Sequence, residues 1–398
     1  MKQQIRALTG ALVLALVLAA TFVSAAPQWA VTTTNSSVYL LDYGNPGTPT
    51  NATGPLLGSS LGGVAIWNDY VFVASSSGTA GSLHIGRIVT TGLIPTINWM
   101  PNTVTLSTPT GNVIKPASVA VDGTGGVYVI NDPQSTTHGS FAYLPSNGAT
   151  WASAGLNIFD VPTAYYADVA TSGIGTQAII AHQDESSTWA GQAWVAAVTS
   201  AGISSTKQPD ANGYNPRGIA IGTDGQLSYM VNHLTDLTDT GAINEGSISV
   251  VDSSLTSTTV VSTGAFQPTD VSFFTRGGIS YLGVVGTTNG RAQASRITLD
   301  ALGLPSMGTM VSKTLDISNA FCTVSPDGSV FWITNPGTGS VTALDTLNWT
   351  SSVAFAVPGQ PQYIAGYSPD LVPEPSSLAI LLTGAIGVIG SIRRRRKQ

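Results

Sequence analysis

The sequence predicts an all-β chain, a seven-bladed β-propeller closed by pairing of its amino- and carboxy-terminal strands, and three observations lead there. First, apolar anchors at Val64, Val119, Val169, Ile219, Val271 and Cys322 are separated by 55, 50, 50, 52 and 51 residues. A period near 50 with about four short strands per unit is propeller spacing. Second, only 9% of the residues are charged and no long stretch of the middle carries strong helix formers at helical spacing, which favours strands and turns. Third, a seventh anchor, Ile364, opens a unit that has one strand and nothing after it. The missing strands stand at the other end of the chain, and joining the two ends removes the exposed sheet edges of an open array.

Residues 1–25 read as a signal peptide. Lys2 and Arg6 precede an apolar stretch from Ala7 to Val23, and Val23-Ser24-Ala25 has small-residue cleavage spacing. Signal peptidase is expected to cut between Ala25 and Ala26. The segment Trp29 to Asn35, followed by Ser37 to Asp42, aligns with Trp332-Ile333-Thr334-Asn335 followed by Ser340 to Asp345, so the mature chain is expected to begin at the second strand of a blade.

Within residues 26–370 the clearest units run Pro216 to Ile221, Asp224-Gly225, Tyr229-Met230-Val231-Asn232, and Cys322 to Val324, Asp327-Gly328, Trp332 to Asn335. A third runs Pro116 to Val121, Gly125-Gly126, Tyr128-Val129-Ile130-Asn131, with an earlier Asp122-Gly123. Asp-Gly tolerates the positive φ of a tight hairpin, so these acids are assigned to turn chemistry. The tetrapeptides after the turns resemble the YVTN-type repeats of surface propellers. That resemblance implies the propeller fold, and the family includes both surface proteins and lactonase-like enzymes.

Residues 371–398 combine Pro373-Glu374-Pro375, an uncharged run from Ser376 to Ile392, and Arg393-Arg394-Arg395-Arg396-Lys397. The apolar part, expected to form a single hydrophobic helix, is shorter than the roughly 20 residues that span a bilayer comfortably. The cations after it would stay cytoplasmic, leaving the rest outside the inner membrane. In that order the three parts resemble the PEP-CTERM sorting tail of Gram-negative bacteria. The resemblance implies an exosortase-type enzyme as partner, a transient membrane intermediate, and delivery to the cell surface or medium in association with exopolysaccharide. The alternative is a permanent single-pass anchor.

Of 15 basic and 21 acidic residues, seven cations and Glu374 lie in the two end segments, so the middle carries 8 cations and 20 acids, near −12. That balance repels phosphate backbones and argues against nucleic-acid binding. With Cys322 as its one cysteine, an exported chain is held by its core without an internal disulfide, and Cys322 itself is expected to be a buried, inert thiol.

Candidate chemistry is sparse. Asp168 and Asp270 stand just before an anchor, where Gly218 stands in another unit after Arg217. These positions face the axial channel, and the polar groups there suit a divalent cation or a carboxylate-bearing sugar. The alternative is that each Asp caps backbone N–H groups at the turn into its strand. Trp189, beside Asp184 and Glu185 in a polar loop, has the surroundings of a sugar platform. His138, His182 and His233 fall near loops of one face without metal-ligand spacing, and Asp236, Asp239 and Glu245 lack the spacing of a calcium loop. Gly58-Ser59-Ser60-Leu61-Gly62 fits G-x-S-x-G without the strand-to-helix turn a nucleophile elbow needs.

No nucleophile, base and orienting group fall at matching positions, so the sequence reads as a non-catalytic binding or structural module, requiring no cofactor and partnered by extracellular polysaccharide or a surface protein. The alternatives are a channel-mouth metal-dependent hydrolase or lyase of lactonase type, with a divalent cation on Asp168 and Asp270, and a glycan-binding lectin.

Overall fold

The computed structural model describes residues 28–367 apart from 55–59, 78–79, 91–94, 107–115, 132–137, 148–149, 153–155, 163, 172–175, 177, 185–191, 209–213, 235–244, 316–320 and 350. The two terminal segments, with the expected cleavage site, apolar helix and arginine cluster, lie outside the described residues. No helix among the described residues is long and apolar enough to cross a membrane.

Gln28–Tyr367 forms one compact unit of seven blades. Blade 1 contains β1 (Trp29–Thr33), β2 (Val38–Asp42) and β3 (Thr50–Asn51). Blade 2 has β4 (Ser60–Trp67), β5 (Tyr70–Ser77), β6 (Ala80–Val89), β7 (Thr96–Trp99) and an extra β8 (Val104–Leu106) on β6. Blade 3 is β9 (Pro116–Val121), β10 (Val127–Asn131), β11 (His138–Leu144) and β12 (Asn157–Pro162). Blade 4 is β13 (Ala164–Thr171), β14 (Ala178–Asp184), β15 (Gln192–Thr199) and β16 (Gly202–Lys207). Blade 5 is β17 (Tyr214–Ile221), β18 (Leu227–Leu234), β19 (Gly246–Asp252) and β20 (Thr258–Gly264). Blade 6 is β21 (Phe266–Arg276), β22 (Ile279–Thr288), β23 (Arg291–Leu299) and β24 (Pro305–Thr314). Blade 7 is β25 (Cys322–Val324), β26 (Val330–Asn335), β27 (Ser340–Asp345) and β28 (Ser352–Ala356). Finally β29 (Tyr363–Tyr367) returns to pair antiparallel with β1 as the innermost strand of blade 1, so the two ends of the unit close the ring.

All seven anchors occupy one register position. Val64 faces Val73, Val119 faces Val129, Val169 faces Ile180, Ile219 faces Met230, Val271 faces Val284, Cys322 faces Ile333 and Ile364 faces Thr32. The register corrects the alignment of blade 1: Trp29 matches Val330 and Thr34 matches Asn335, because Ile364 and Cys322 fix the count from the channel outward. The turn of blade 3 is also shifted. Its positive φ falls at Gly125 (86°), matching Gly225 (70°) and Gly328 (71°), and Gly123 is no part of that pattern. Asp122 instead accepts the N–H groups of Thr124 and Gly126.

The strands are apolar at nearly every position because both faces of every blade are covered. Seven buried clusters result, one at each interface between neighbouring blades. Successive residues of one strand serve opposite neighbours: Val330 and Trp332 pack toward blade 1, whereas Phe331 and Ile333 pack toward blade 6. Trp332 is fully buried, with its ring 5.6 Å from that of Phe355. At a typical gain of about 25 cal/mol per Å² of apolar surface, seven such interfaces hold the ring without a disulfide. Cys322 is buried and free.

In blades 3, 5 and 7 the second strand ends in a polar tie to the third. Asn131 donates to Ser140 Oγ (2.8 Å), Asn232 to Ser247 and Ser249 (3.0 and 2.9 Å), and Asn335 to Ser340 and Thr342 (3.1 and 2.8 Å). In blade 2 the tie is Ser75 Oγ to His84 Nε2 at 2.8 Å, and burial lowers that imidazole to about 4. The repeated Asn is therefore a blade-internal tie.

Candidate functional site

Sheets that stand radially send their side chains toward neighbouring blades, so the inner strand of each blade turns one backbone edge to the axis. Those seven edges line a channel of about 350 Å³. Antiparallel pairing makes the edge discontinuous, since opposed residues alternate between pairs that exchange hydrogen bonds and pairs that do not. Thr334 N–H bonds to Phe321 O at 2.9 Å, so the next pair, Cys322 and Ile333, exchanges none, and Cys322 N–H points away from β26. The same holds at every anchor.

A bulge precedes the anchor in most blades. Ala117, Ala167, Arg217 and Thr269 are each passed over in the pairing, and the corresponding irregularity in blade 2 falls between Leu61 and Val64. A bulge of this kind re-aims the residue beside it. The residues between bulge and anchor form a column around one end of the channel: Gly63, Ser118, Asp168, Gly218, Asp270, Phe321 and Tyr363.

The structure brings Asp168 and Asp270 together in this column, on blades 4 and 6. Asp168 Oδ1 accepts Val169 N–H (2.8 Å) and Ser118 Oγ–H (2.6 Å), and its Oδ2 accepts Ile219 N–H (3.1 Å). Asp270 Oδ1 accepts Val271 N–H (2.8 Å) and its Oδ2 accepts Cys322 N–H (2.7 Å). Each carboxyl thus takes the anchor N–H of its own blade and of the next. The capping alternative is realised in a wider form than a single turn. Gly218 lies between them because a Cβ there would stand 2.3 Å from Asp270 Oδ1 and 2.8 Å from Asp270 Cα.

Burial dominates the electrostatics. It pushes the Asp168 carboxyl up to about 6, against the three hydrogen bonds that favour its ionised form. Burial, joined by the charge of Asp168, holds Asp270 well above the usual carboxylate range. Like charges disfavour each other's ionisation, so the two carboxyls do not titrate independently. Cys322 is pushed up by burial and then by Asp270, and its Sγ lies 3.9 Å from Ser272 Oγ and 4.0 Å from Gly283 O, which keeps it an inert thiol.

Arg217 occupies a bulge, and its exposed side chain does not line the channel. Its charge instead reaches His233, whose imidazole is lowered first by burial and raised in part by its Nδ1 bond to Pro268 O at 3.3 Å. Trp189, Asp236 and Asp239 lie outside the described residues, as does the side chain of His138. His182 is buried and stacks on Trp194, 6.3 Å away. Among the described residues no three His, Cys, Asp or Glu side chains converge to hold a metal ion. Hard divalent cations take six or more oxygen ligands, so Asp168 and Asp270, each already bonded to protein donors, do not by themselves make up the donor set of the cation considered from sequence. Ser118 is the site residue that sequence reading missed, although its place one residue before an anchor marks it.

No protein-family model matches the chain, and no curated protein matches it. Solved structures do. A putative 6-phosphogluconolactonase from Bacteroides uniformis aligns at 12% identity over 86% of this chain and 100% of its own, with a TM-score of 0.64. A functionally unknown protein from Desulfotomaculum acetoxidans aligns at 13% identity over 86% and 99%, with a TM-score of 0.61. The periplasmic gluconolactonase of Pseudomonas aeruginosa aligns at 14% identity over 85% and 99%, with a TM-score of 0.56. At these identities the likeness is one of fold. It nevertheless corrects the expectation of a non-catalytic module, because solved propellers of this architecture include proteins named as lactonases. The chain has the fold of a seven-bladed β-propeller with lactonases among its structural neighbours.

Proposed function

We propose that this propeller is a lactonase-type hydrolase that opens a small cyclic ester in its axial channel. The observation that carries the reading is the placement of two carboxyls with raised affinity for protons on one side of a channel whose other side presents backbone N–H groups. Asp168 Oδ2 accepts a single hydrogen bond and so keeps a lone pair for water. In the ionised state it takes a proton from that water as the new bond forms to the lactone carbonyl carbon. The ring C–O bond then breaks, and the leaving alkoxide receives the proton back from Asp168, giving the hydroxy acid. A base with pKa near 6 is suited to work at neutral pH. Asp270, pushed well above the usual carboxylate range by burial and then by the charge of Asp168, ionises less readily than an exposed carboxyl beside that base.

The test is proton release from glucono-lactone by the purified protein. Asp168→Asn is expected to lower kcat/KM about 10²–10⁴-fold, the usual worth of a general base. Activity of the parent should rise with pH through about 6 as the base ionises. An unchanged rate in Asp168→Asn would sink this assignment.

Support for export is separate and comes from the chain ends. We read Pro373-Glu374-Pro375 with Arg393 to Arg396 as a PEP-CTERM-type sorting signal, and the tetrapeptides at Tyr128, Tyr229 and Trp332 as YVTN-type repeats. The intact mass of the protein from an exporting host should correspond to a start at Ala26 and loss of the arginine cluster. A species retaining Arg393 makes the tail an anchor.

A further inference from the structure

The caps around the channel are incomplete in a regular way. Asp168 takes the anchor N–H groups of blades 4 and 5, and Asp270 those of blades 6 and 7. The remaining anchors, Ile364, Val64 and Val119, belong to three consecutive blades, 1 to 3. Their register is that of the capped four, so their N–H groups also turn away from the second strand toward the axis. Among the described residues no side chain accepts from them: Ser118 directs its hydroxyl to Asp168, Gly63 has no side chain, and the third residue of the column is Tyr363. All three anchors line the channel and keep 7–8% of their surface accessible.

The local geometry repeats as well. Asp168 is followed in the next blade by Gly218, where a Cβ would lie 2.8 Å from the Cα of Asp270. Tyr363 is followed in the next blade by Gly63, where a Cβ would lie 2.7 Å from the Cα of Ser118. Blades 1 and 2 therefore reproduce the place that holds a carboxyl between blades 4 and 5, without the carboxyl.

We propose that the arc of blades 1 to 3 binds the carboxylate of a small acid, which takes the N–H groups of Ile364, Val64 and Val119 as the side chains of Asp168 and Asp270 take theirs. Converging backbone N–H groups in a concave, partly dry site are anion receptors, and their bonds to a carboxylate are charge-assisted. The ligand class is a monocarboxylate small enough for a channel of about 350 Å³, and a hydroxy acid of the kind a lactone yields on opening belongs to it. The inference stands on the N–H pattern alone and not on catalysis.

Calorimetry on the full chain, with sodium gluconate and sodium acetate as probes, tests it. One saturable site per chain is expected for both. Tyr363→Asp supplies the missing third carboxyl from the protein and should weaken both probes at least tenfold, whereas Tyr363→Ser, which leaves the arc open, should stay within about threefold. Crystals soaked in gluconate give a readout independent of any variant's folding: carboxylate oxygens within hydrogen-bonding distance of Val64 N support the proposal. No saturable uptake, a folded Tyr363→Asp that binds like the parent, or gluconate seated elsewhere overturns it. Gluconate binding without lactone turnover would remove the hydrolase reading and leave this one intact.

Discussion

Blades 4 to 7 and blades 1 to 3 meet the same problem differently. Every inner strand leaves an anchor N–H facing the channel, and an unpaired buried N–H costs roughly 1–3 kcal/mol. On blades 4 to 7 two aspartates answer it from within, one carboxyl serving two blades. On blades 1 to 3 nothing among the described residues does. A ring that were only a scaffold would gain by capping all seven. The uneven division makes one half of the channel capped and acidic, and leaves the anchor N–H groups of the other half without a side-chain cap among the described residues.

Asp270→Ala is the strongest way to break that contrast. It strips the caps from Val271 and Cys322 at a nearly buried position, and it should lower the free energy of unfolding by about 2–4 kcal/mol in urea titration. Ser118→Ala, at the border of the two halves, removes one hydroxyl donor and should cost about 1 kcal/mol. Equal costs would mean that the capped half is no more structural than its edge.

A smaller effect is expected in pH dependence. Asp168 and Asp270 hold protons more tightly in the folded chain than in the unfolded one, where a carboxylate titrates near 3.8. The folded state therefore binds more protons above pH 4, and stability falls as pH rises through about 6. The melting temperature should be a few degrees higher at pH 5 than at pH 8, and the difference should shrink in Asp168→Asn. Asp252 and Asp327, held below their usual range chiefly by hydrogen bonds that outweigh burial, act in the opposite sense and only at lower pH. A flat profile between pH 5 and 8 would detach the raised carboxyls from the energetics of the ring.

Much of the fold was legible because a blade is a local object. Strand, turn and second strand lie within about 20 residues, and burial on both faces writes them as apolar runs punctuated by Gly. Hence the seven anchors were placed correctly even in the weaker units at Val64, Val169 and Val271. Blade 1 was misaligned by matching Trp29 to Trp332, since identical residues outweighed a register that only pairing with β29 reveals. Asp168 and Asp270 were found as a pair near the axis, but their partners were not. Ile219 and Cys322 lie 51 and 52 residues away in sequence, and a backbone N–H leaves no trace in residue identity.

The sequence by itself determined the repeat, the number of blades, the closure of the ring by its two ends and the column of residues before the anchors. Those follow from hydrophobic burial and turn chemistry, which act over a few neighbouring residues. Only the tertiary structure decided which N–H groups face the channel, that one carboxyl spans two blades, and that three blades go uncapped. These depend on bulges and on the meeting of strands from separate repeats, where the interacting partner is backbone that every residue shares.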